Sequence, residues 1–168
     1  MADWSQFYFL VGSAAAGLTG LMFIAVTFGS RLITEEKLPY VEAFFSPMSY
    51  HFIQVFILCA VALMPVTGAR ELGATIVLTT ALRSGQLVHT YRLTRAASKE
   101  SSDIELSDWL LGLILPASVY ASLITAGVFY WLGAKAAPAL FAVSLLCLLV
   151  VALQRAWEML LWVATKVD

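Results

Sequence analysis

The chain has 168 residues, 61% of them hydrophobic and 12% charged, and its mean hydropathy is +0.85. Soluble domains carry about 25% charged residues, so this composition argues against a soluble globular domain and predicts a membrane protein. The net charge of −1 argues against a nucleic-acid partner, because binding to phosphate backbones needs a basic surface.

Five segments are long and apolar enough to be membrane-spanning helices, since about 20 helical residues cross a hydrocarbon core about 30 Å thick. The predicted fold is an all-α integral membrane protein: one domain over residues 1–168, with five transmembrane helices in a bundle. The predicted helices cover residues 7–29, 47–66, 71–90, 104–132 and 138–163.

Prolines and one loop refine these boundaries. Pro47 and Pro138 suit the first turn of a helix, where the missing N–H costs nothing, and Pro116 is expected to kink the fourth helix. Ser102 and Glu105 have the spacing of a capping box, which favours an early start for that helix. The loop over residues 39–45 fits a short interfacial helix and an ordinary connection equally well.

The distribution of Lys and Arg predicts the orientation. Six of these residues fall in the loops after the first and third helices and at the C-terminus, whereas Arg70 and Lys135 lie on the other side. Positively charged loops stay in the cytoplasm, so the N-terminus is predicted outside and the C-terminus inside. The small size and bare loops suggest a bacterial inner membrane.

Small residues indicate where helices approach closely, because association in lipid depends on close backbone packing. In the first helix they recur at a spacing of four, and the fourth helix repeats the pattern. The predicted packing residues are Gly12, Ser13, Ala16, Gly17, Gly20, Ser118 and Ser122. Two such faces on five helices favour a homo-oligomer over a monomer.

The third helix carries a polar stripe. At about 100° per residue, five of its polar side chains fall within an arc of about 80°, and in a bilayer such a face must meet protein or enclosed water. These residues are Thr75, Thr79, Arg83, Gln86 and Thr90. Both threonines could instead bond their own helix carbonyls, and Arg83 could extend to the membrane surface.

Three helices are predicted to bring polar residues to one depth near the cytoplasmic side. Besides Arg83 and Gln86, the set contains His51, Gln54, Arg155 and Glu158. Arg155 and Glu158 have the spacing of a helical ion pair, and two arginines facing one carboxylate leave positive charge for water, a phosphate headgroup or an anion. A long arginine near a helix end also simply reaches the interface.

The sequence has no metal-protease, redox-cysteine, phosphate-loop or nucleophile-elbow motif, so no enzyme activity, metal or obligatory cofactor is predicted. His51 and His89 could ligate a haem iron if they faced each other. A hydrogen-bonded or titrating histidine in a polar cluster is the competing interpretation.

The leading functional hypothesis is a homo-oligomeric channel or small-solute permeation protein. Its polar path would follow the third helix, and Arg83 would form a positive constriction. The alternatives are a non-catalytic accessory subunit that binds anionic lipid or a partner helix, and a haem- or proton-handling redox subunit.

Overall fold

A computed structural model describes residues 4–29, 38–65, 68–100 and 114–165. Within these ranges, the structure describes the backbone but not the side chains of residues 25, 26, 28, 29, 38–48, 86–100 and 158–165. The described residues form five helices and no strand, so the all-helical prediction is confirmed. The helices are α1 (Ser5–Gly29), α2 (Leu38–Leu63), α3 (Ala69–Glu100), α4 (Leu115–Trp131) and α5 (Ala137–Thr165).

The turn between α4 and α5 has a local cause in the sequence. Gly133 adopts a φ of +69°, a backbone conformation that costs a glycine little. Its N–H donates to the Tyr130 carbonyl, and the Ala134 N–H donates to the Phe129 carbonyl, the paired bonds that end a helix at a left-handed residue. Pro138 then lies in the first turn of α5, as predicted.

Two helices extend beyond their predicted boundaries. α2 begins at Leu38 rather than Pro47 and continues through residues 39–45, so Pro39 lies in its first turn and Pro47 in its interior. α3 continues past Thr90 to Glu100, because the added residues include good helix formers and neither glycine nor proline.

The start of α4 is described only in part. Pro116 lies in the first turn of the described helix, and Ile114 before it already has helical dihedral angles. The predicted start at residue 104 and the capping box fall outside the described residues.

The helices pack as antiparallel neighbours. α1 lies against α2, α2 against α5, α5 against α4, and α4 against α3, whereas α2 and α3 touch over a shorter length despite their short connection. Sequence proximity therefore does not decide the main partner of α3.

Glycines set the close approach of α3 to α4. A Cβ atom built on Gly73 would lie 2.5 Å from the Gly127 carbonyl oxygen, and one built on Gly127 would lie 2.9 Å from that of Gly73. Backbones this close leave no space for a side chain. Both glycines were absent from the predicted packing residues.

The predicted small-residue faces divide into contacting and exposed parts. Gly12 packs on α2, where an added Cβ would lie 2.9 Å from Cys59 Cβ, and the Ser122 hydroxyl lies 2.6 Å from that of Ser144 on α5. The remaining predicted packing residues are exposed in this single chain: Ser13, Ala16, Gly17, Gly20 and Ser118.

The interior changes in character along the bundle axis. An aromatic end is formed where α1 and α5 begin, by Trp4, Phe7, Tyr8, Tyr130 and Phe141. Next comes an apolar layer of side chains with no exposed surface: Val55, Leu58, Ile76, Leu123 and Leu145. Buried polar side chains follow beyond this layer, toward the end where α2 and α4 begin.

The outer surface is apolar on every helix. Phe9 of α1, Ile57 of α2, Leu82 of α3, Val128 of α4 and Val150 of α5 are all exposed large hydrophobic residues. Among the described residues, two segments are long and apolar enough to cross a membrane, Ser5–Ile24 and Ala137–Trp157, while the apolar helices Ser49–Leu63 and Leu115–Trp131 are shorter.

Candidate functional site

Buried and half-buried polar residues from three helices form a cluster beyond the apolar layer. We call it the polar cluster; its members are Tyr50, His51 and Gln54 of α2, Thr80 and Arg83 of α3, and Tyr120 of α4. His51 and Gln54 were predicted to share one depth with Arg83, and all three belong to this cluster.

His51 connects α2 to α4. Its side chain is buried, and its Nδ1 atom lies 2.9 Å from the Tyr120 hydroxyl oxygen. The two rings are tilted by 55° at a centroid distance of 5.7 Å, so they meet at the hydroxyl rather than by stacking. A buried imidazole needs such a partner, because an unpaired polar atom in an apolar interior is costly.

Gln54 connects α2 to α3. Only 2% of this residue is exposed, and its Nε2 atom donates to the Thr80 hydroxyl oxygen at 3.4 Å, near the upper limit for a hydrogen bond. The Gln54 Oε1 atom is buried and, among the described residues, has no hydrogen-bond partner.

Arg83 turns toward α2. Its guanidinium carbon lies 4.7 Å from the centre of the Tyr50 ring, within the range of a cation–π interaction. Arg83 is half-buried.

Arg83 is the charged member of the cluster, and half-buried Arg155 of α5 also lies within electrostatic range of His51. Glu71 is the one carboxylate whose side chain is described; it lies twelve residues before Arg83 on α3, about 18 Å along the axis.

The threonines of the predicted stripe lie beside the cluster. Thr75 and Thr79 are half-buried and donate to the carbonyls of Glu71 at 2.8 Å and Thr75 at 2.7 Å. Their hydroxyls therefore donate hydrogen bonds to carbonyls of their own helix, which was the alternative interpretation of these threonines in the sequence analysis. Thr80, with no exposed surface, is the threonine that faces α2.

Several predicted site residues have side chains outside the description: Gln86, His89 and Thr90 on α3, and Glu158 on α5. The haem hypothesis depends on the His89 side chain and therefore lies outside the described residues.

Sequence reasoning missed Thr80 and Tyr120. A tyrosine in the middle of an apolar helix is a detectable signal, but its partner His51 is 69 residues away. Thr80 was missed because its neighbour Thr79 fitted the polar arc better. Among the described residues there is no group of three His, Cys, Asp or Glu side chains that could hold a metal ion.

Comparison with protein-family models, curated proteins and solved structures finds no match to this chain. The geometry of the polar cluster is therefore the basis for a functional assignment.

Proposed function

We propose that this chain is an integral membrane protein that binds an anionic oxygen group at the polar cluster. The group is the phosphate of a lipid headgroup or a soluble oxyanion. The observation that carries the proposal is the position of Arg83, whose guanidinium lies over Tyr50 among buried polar side chains rather than against the apolar exterior.

The membrane part of the proposal rests on the exterior. Exposed large hydrophobic residues occur on all five helices, and a water-soluble monomer rarely exposes a continuous apolar surface of that extent. Two helices are long enough to span a bilayer. We propose five spans, with the shorter apolar helices and α3 completing the bundle.

The anion-binding part follows from charge and geometry. A partly buried guanidinium is costly without an anionic partner, and its forked N–H groups match the oxygens of phosphate or carboxylate. Tyr50 contacts the Arg83 guanidinium through its ring, and Glu71, the one carboxylate among the described side chains, lies about 18 Å away along α3.

Within a single chain, the apolar layer closes one side of the polar cluster. Beyond Gln54, the apolar layer fills the interior with side chains that have no exposed surface, among them Leu58, Ile76 and Leu123. We propose that a ligand reaches the cluster from the opposite end of the bundle, which the Lys and Arg distribution predicts to face the cytoplasm.

A homo-oligomeric conduit is the second candidate function. Thr75 and Thr79 form a half-exposed edge of α3 that runs from Arg83 toward the aromatic end. Because the apolar layer closes the interior of each chain, an aqueous path would lie between chains. Exposed Gly17 and Gly20, where an added Cβ would meet nothing within 4 Å, leave room for a second copy.

The test compares anion binding by Arg83→Ala and by wild type. Purified protein in phosphatidylcholine nanodiscs is titrated with phosphate by calorimetry, and retained anionic lipid is measured by native mass spectrometry. Loss of a charge-assisted contact worth about 1.5–3 kcal/mol should weaken binding roughly 10- to 100-fold. Arg70→Ala is the matched control, because Arg70 is exposed at the other end of α3.

Equal binding by wild type and Arg83→Ala would refute the proposed site. Phosphate flux across proteoliposomes, measured for the same proteins, separates the two candidates. Binding without flux supports a binding protein, whereas flux lost in Arg83→Ala supports the conduit.

A further inference from the structure

The Gln54 amide is the polar group in the cluster whose bonding is incomplete. Its nitrogen donates to Thr80, while its carbonyl oxygen Oε1 is buried and has no hydrogen-bond partner among the described residues. Most buried polar atoms in folded proteins are hydrogen-bonded. A buried carbonyl oxygen left unpaired costs about 1–3 kcal/mol, so this position favours a ligand that brings a hydrogen-bond donor.

Gln54 lies deeper in the bundle than Arg83. It follows Tyr50, the residue under Arg83, by four positions on α2, which places it on the same helix face and about 6 Å further along the axis. An oxyanion held by Arg83 would have its charged oxygens toward the guanidinium and its deep side toward the Gln54 level.

An oxyanion can satisfy both groups only if it carries a proton of its own. At neutral pH inorganic phosphate keeps a P–O–H group in both of its ionised forms, and a phosphomonoester, whose second pKa is about 6, keeps one only in its monoanion. Sulfate and phosphodiesters have none. A bare oxygen placed against the Gln54 carbonyl would bring two acceptors together, a repulsive contact in a region with little water.

We infer that Gln54 makes the site selective for a proton-bearing oxyanion, through a hydrogen bond from its P–O–H group to Gln54 Oε1. The ligand class is inorganic phosphate or the monoanion of a phosphomonoester, with phosphatidate as the lipid member. Sulfate and phosphodiester headgroups are disfavoured. This inference rests on the proposed function, because it names the ligand of the same site.

The test measures phosphate and sulfate binding at pH 7 and constant ionic strength, by calorimetry on the whole protein in phosphatidylcholine nanodiscs. The wild type should bind phosphate about tenfold or more tightly than sulfate, the effect of one hydrogen bond gained and one repulsion avoided. Gln54→Leu should lower phosphate affinity to the level of sulfate. Gln154→Leu is the matched control, since Gln154 is exposed on α5, and it should keep the preference.

A second arm identifies the source of the phosphate group. Native mass spectrometry compares nanodiscs that contain phosphatidate with nanodiscs that contain phosphatidylglycerol, a phosphodiester. Retention of phosphatidate over phosphatidylglycerol, lost in Gln54→Leu, supports the inference with a lipid ligand. Retention of neither lipid by a wild type that binds phosphate assigns the site to soluble phosphate, whereas strong and equal retention of both lipids overturns the inference.

The two proposals fail in different ways. If the wild type binds neither anion and retains neither lipid, the proposed function is wrong. If it binds phosphate and sulfate equally, or if Gln54→Leu keeps the preference, anion binding stands and the role of Gln54 is wrong. A reversed Gln54 amide, which presents N–H instead of oxygen, would also give equal binding. If Gln54→Leu does not fold, the ratio of the wild-type dissociation constants for phosphate and sulfate decides whether the role of Gln54 stands.

Discussion

His51 and Tyr120 illustrate at the residue scale how an apolar bundle holds a buried polar group. The imidazole Nδ1 atom and the phenol oxygen lie 2.9 Å apart, and each satisfies the other. In a membrane bundle such interhelical hydrogen bonds contribute about 0.6 kcal/mol on average and up to about 1.7. The pair therefore adds little to total stability, but it links α2 to α4 across the bundle.

Tyr120→Phe should lower the stability by about 1 kcal/mol, because the imidazole loses its partner while the ring volume is kept. We expect the melting temperature in detergent to fall by about 2–4 °C. The matched control is Tyr50→Phe, which keeps the ring under Arg83 and removes a hydroxyl with no hydrogen-bond partner among the described residues. An equal loss in both variants would contradict the assigned bond.

At the element scale, α3 combines two kinds of contact. Its first half packs tightly on α4 through Gly73 and Gly127, while Thr80 and Arg83 turn toward α2. The glycine contact sets the distance and register of α3, and that register brings Thr80 and Arg83 to the depth of Gln54 and Tyr50.

Gly73→Ala should destabilise the protein by about 1–3 kcal/mol, the usual cost of overpacking, because its Cβ would lie 2.5 Å from the Gly127 carbonyl oxygen. Gly85→Ala on the same helix is the control. An added Cβ there meets nothing within 4 Å, and alanine favours helix by up to about 1 kcal/mol. In thermal unfolding, the melting temperature should be lower than that of the wild type for Gly73→Ala and higher for Gly85→Ala. A similar melting temperature for both variants would argue against the described α3–α4 contact.

At the scale of the whole molecule, the two halves of the interior differ. The aromatic end and the apolar layer pack without buried charge, whereas the polar cluster lies in the other half. The Lys and Arg distribution predicts that this polar half faces the cytoplasm, and a ligand of the cluster would then come from the cytoplasm or the inner leaflet.

The orientation can be tested with an introduced thiol. Ala134→Cys places a cysteine in the turn between α4 and α5, and in intact cells it should react with a membrane-impermeant maleimide. The parent chain is the control, because Cys59 is buried and Cys147 lies within α5. A green fluorescent protein fused at the C-terminus should fluoresce. Labelling of Ala134→Cys only after cell lysis would reverse the proposed orientation.

The amino-acid sequence alone predicted the all-helical class and five helices, and the described residues form five helices. It also predicted Pro138 in the first turn of α5. These features depend on local rules: apolar runs of helical length and proline in a first turn. His51, Gln54 and Arg83 were predicted at one depth from the helix rise, and the structure brings them into one cluster with Gln54 about 6 Å deeper than Arg83.

Only the tertiary structure decided which helix faces meet. Pairing of α3 with α4 depends on Gly73 and Gly127, which fit each other although 54 residues separate them in the chain. The partners of the buried polar groups were also decided there, since Tyr120 reaches His51 and Thr80 rather than Thr79 reaches Gln54. Helix formation depends on bonds within each segment, whereas these contacts depend on the shapes of distant segments after packing.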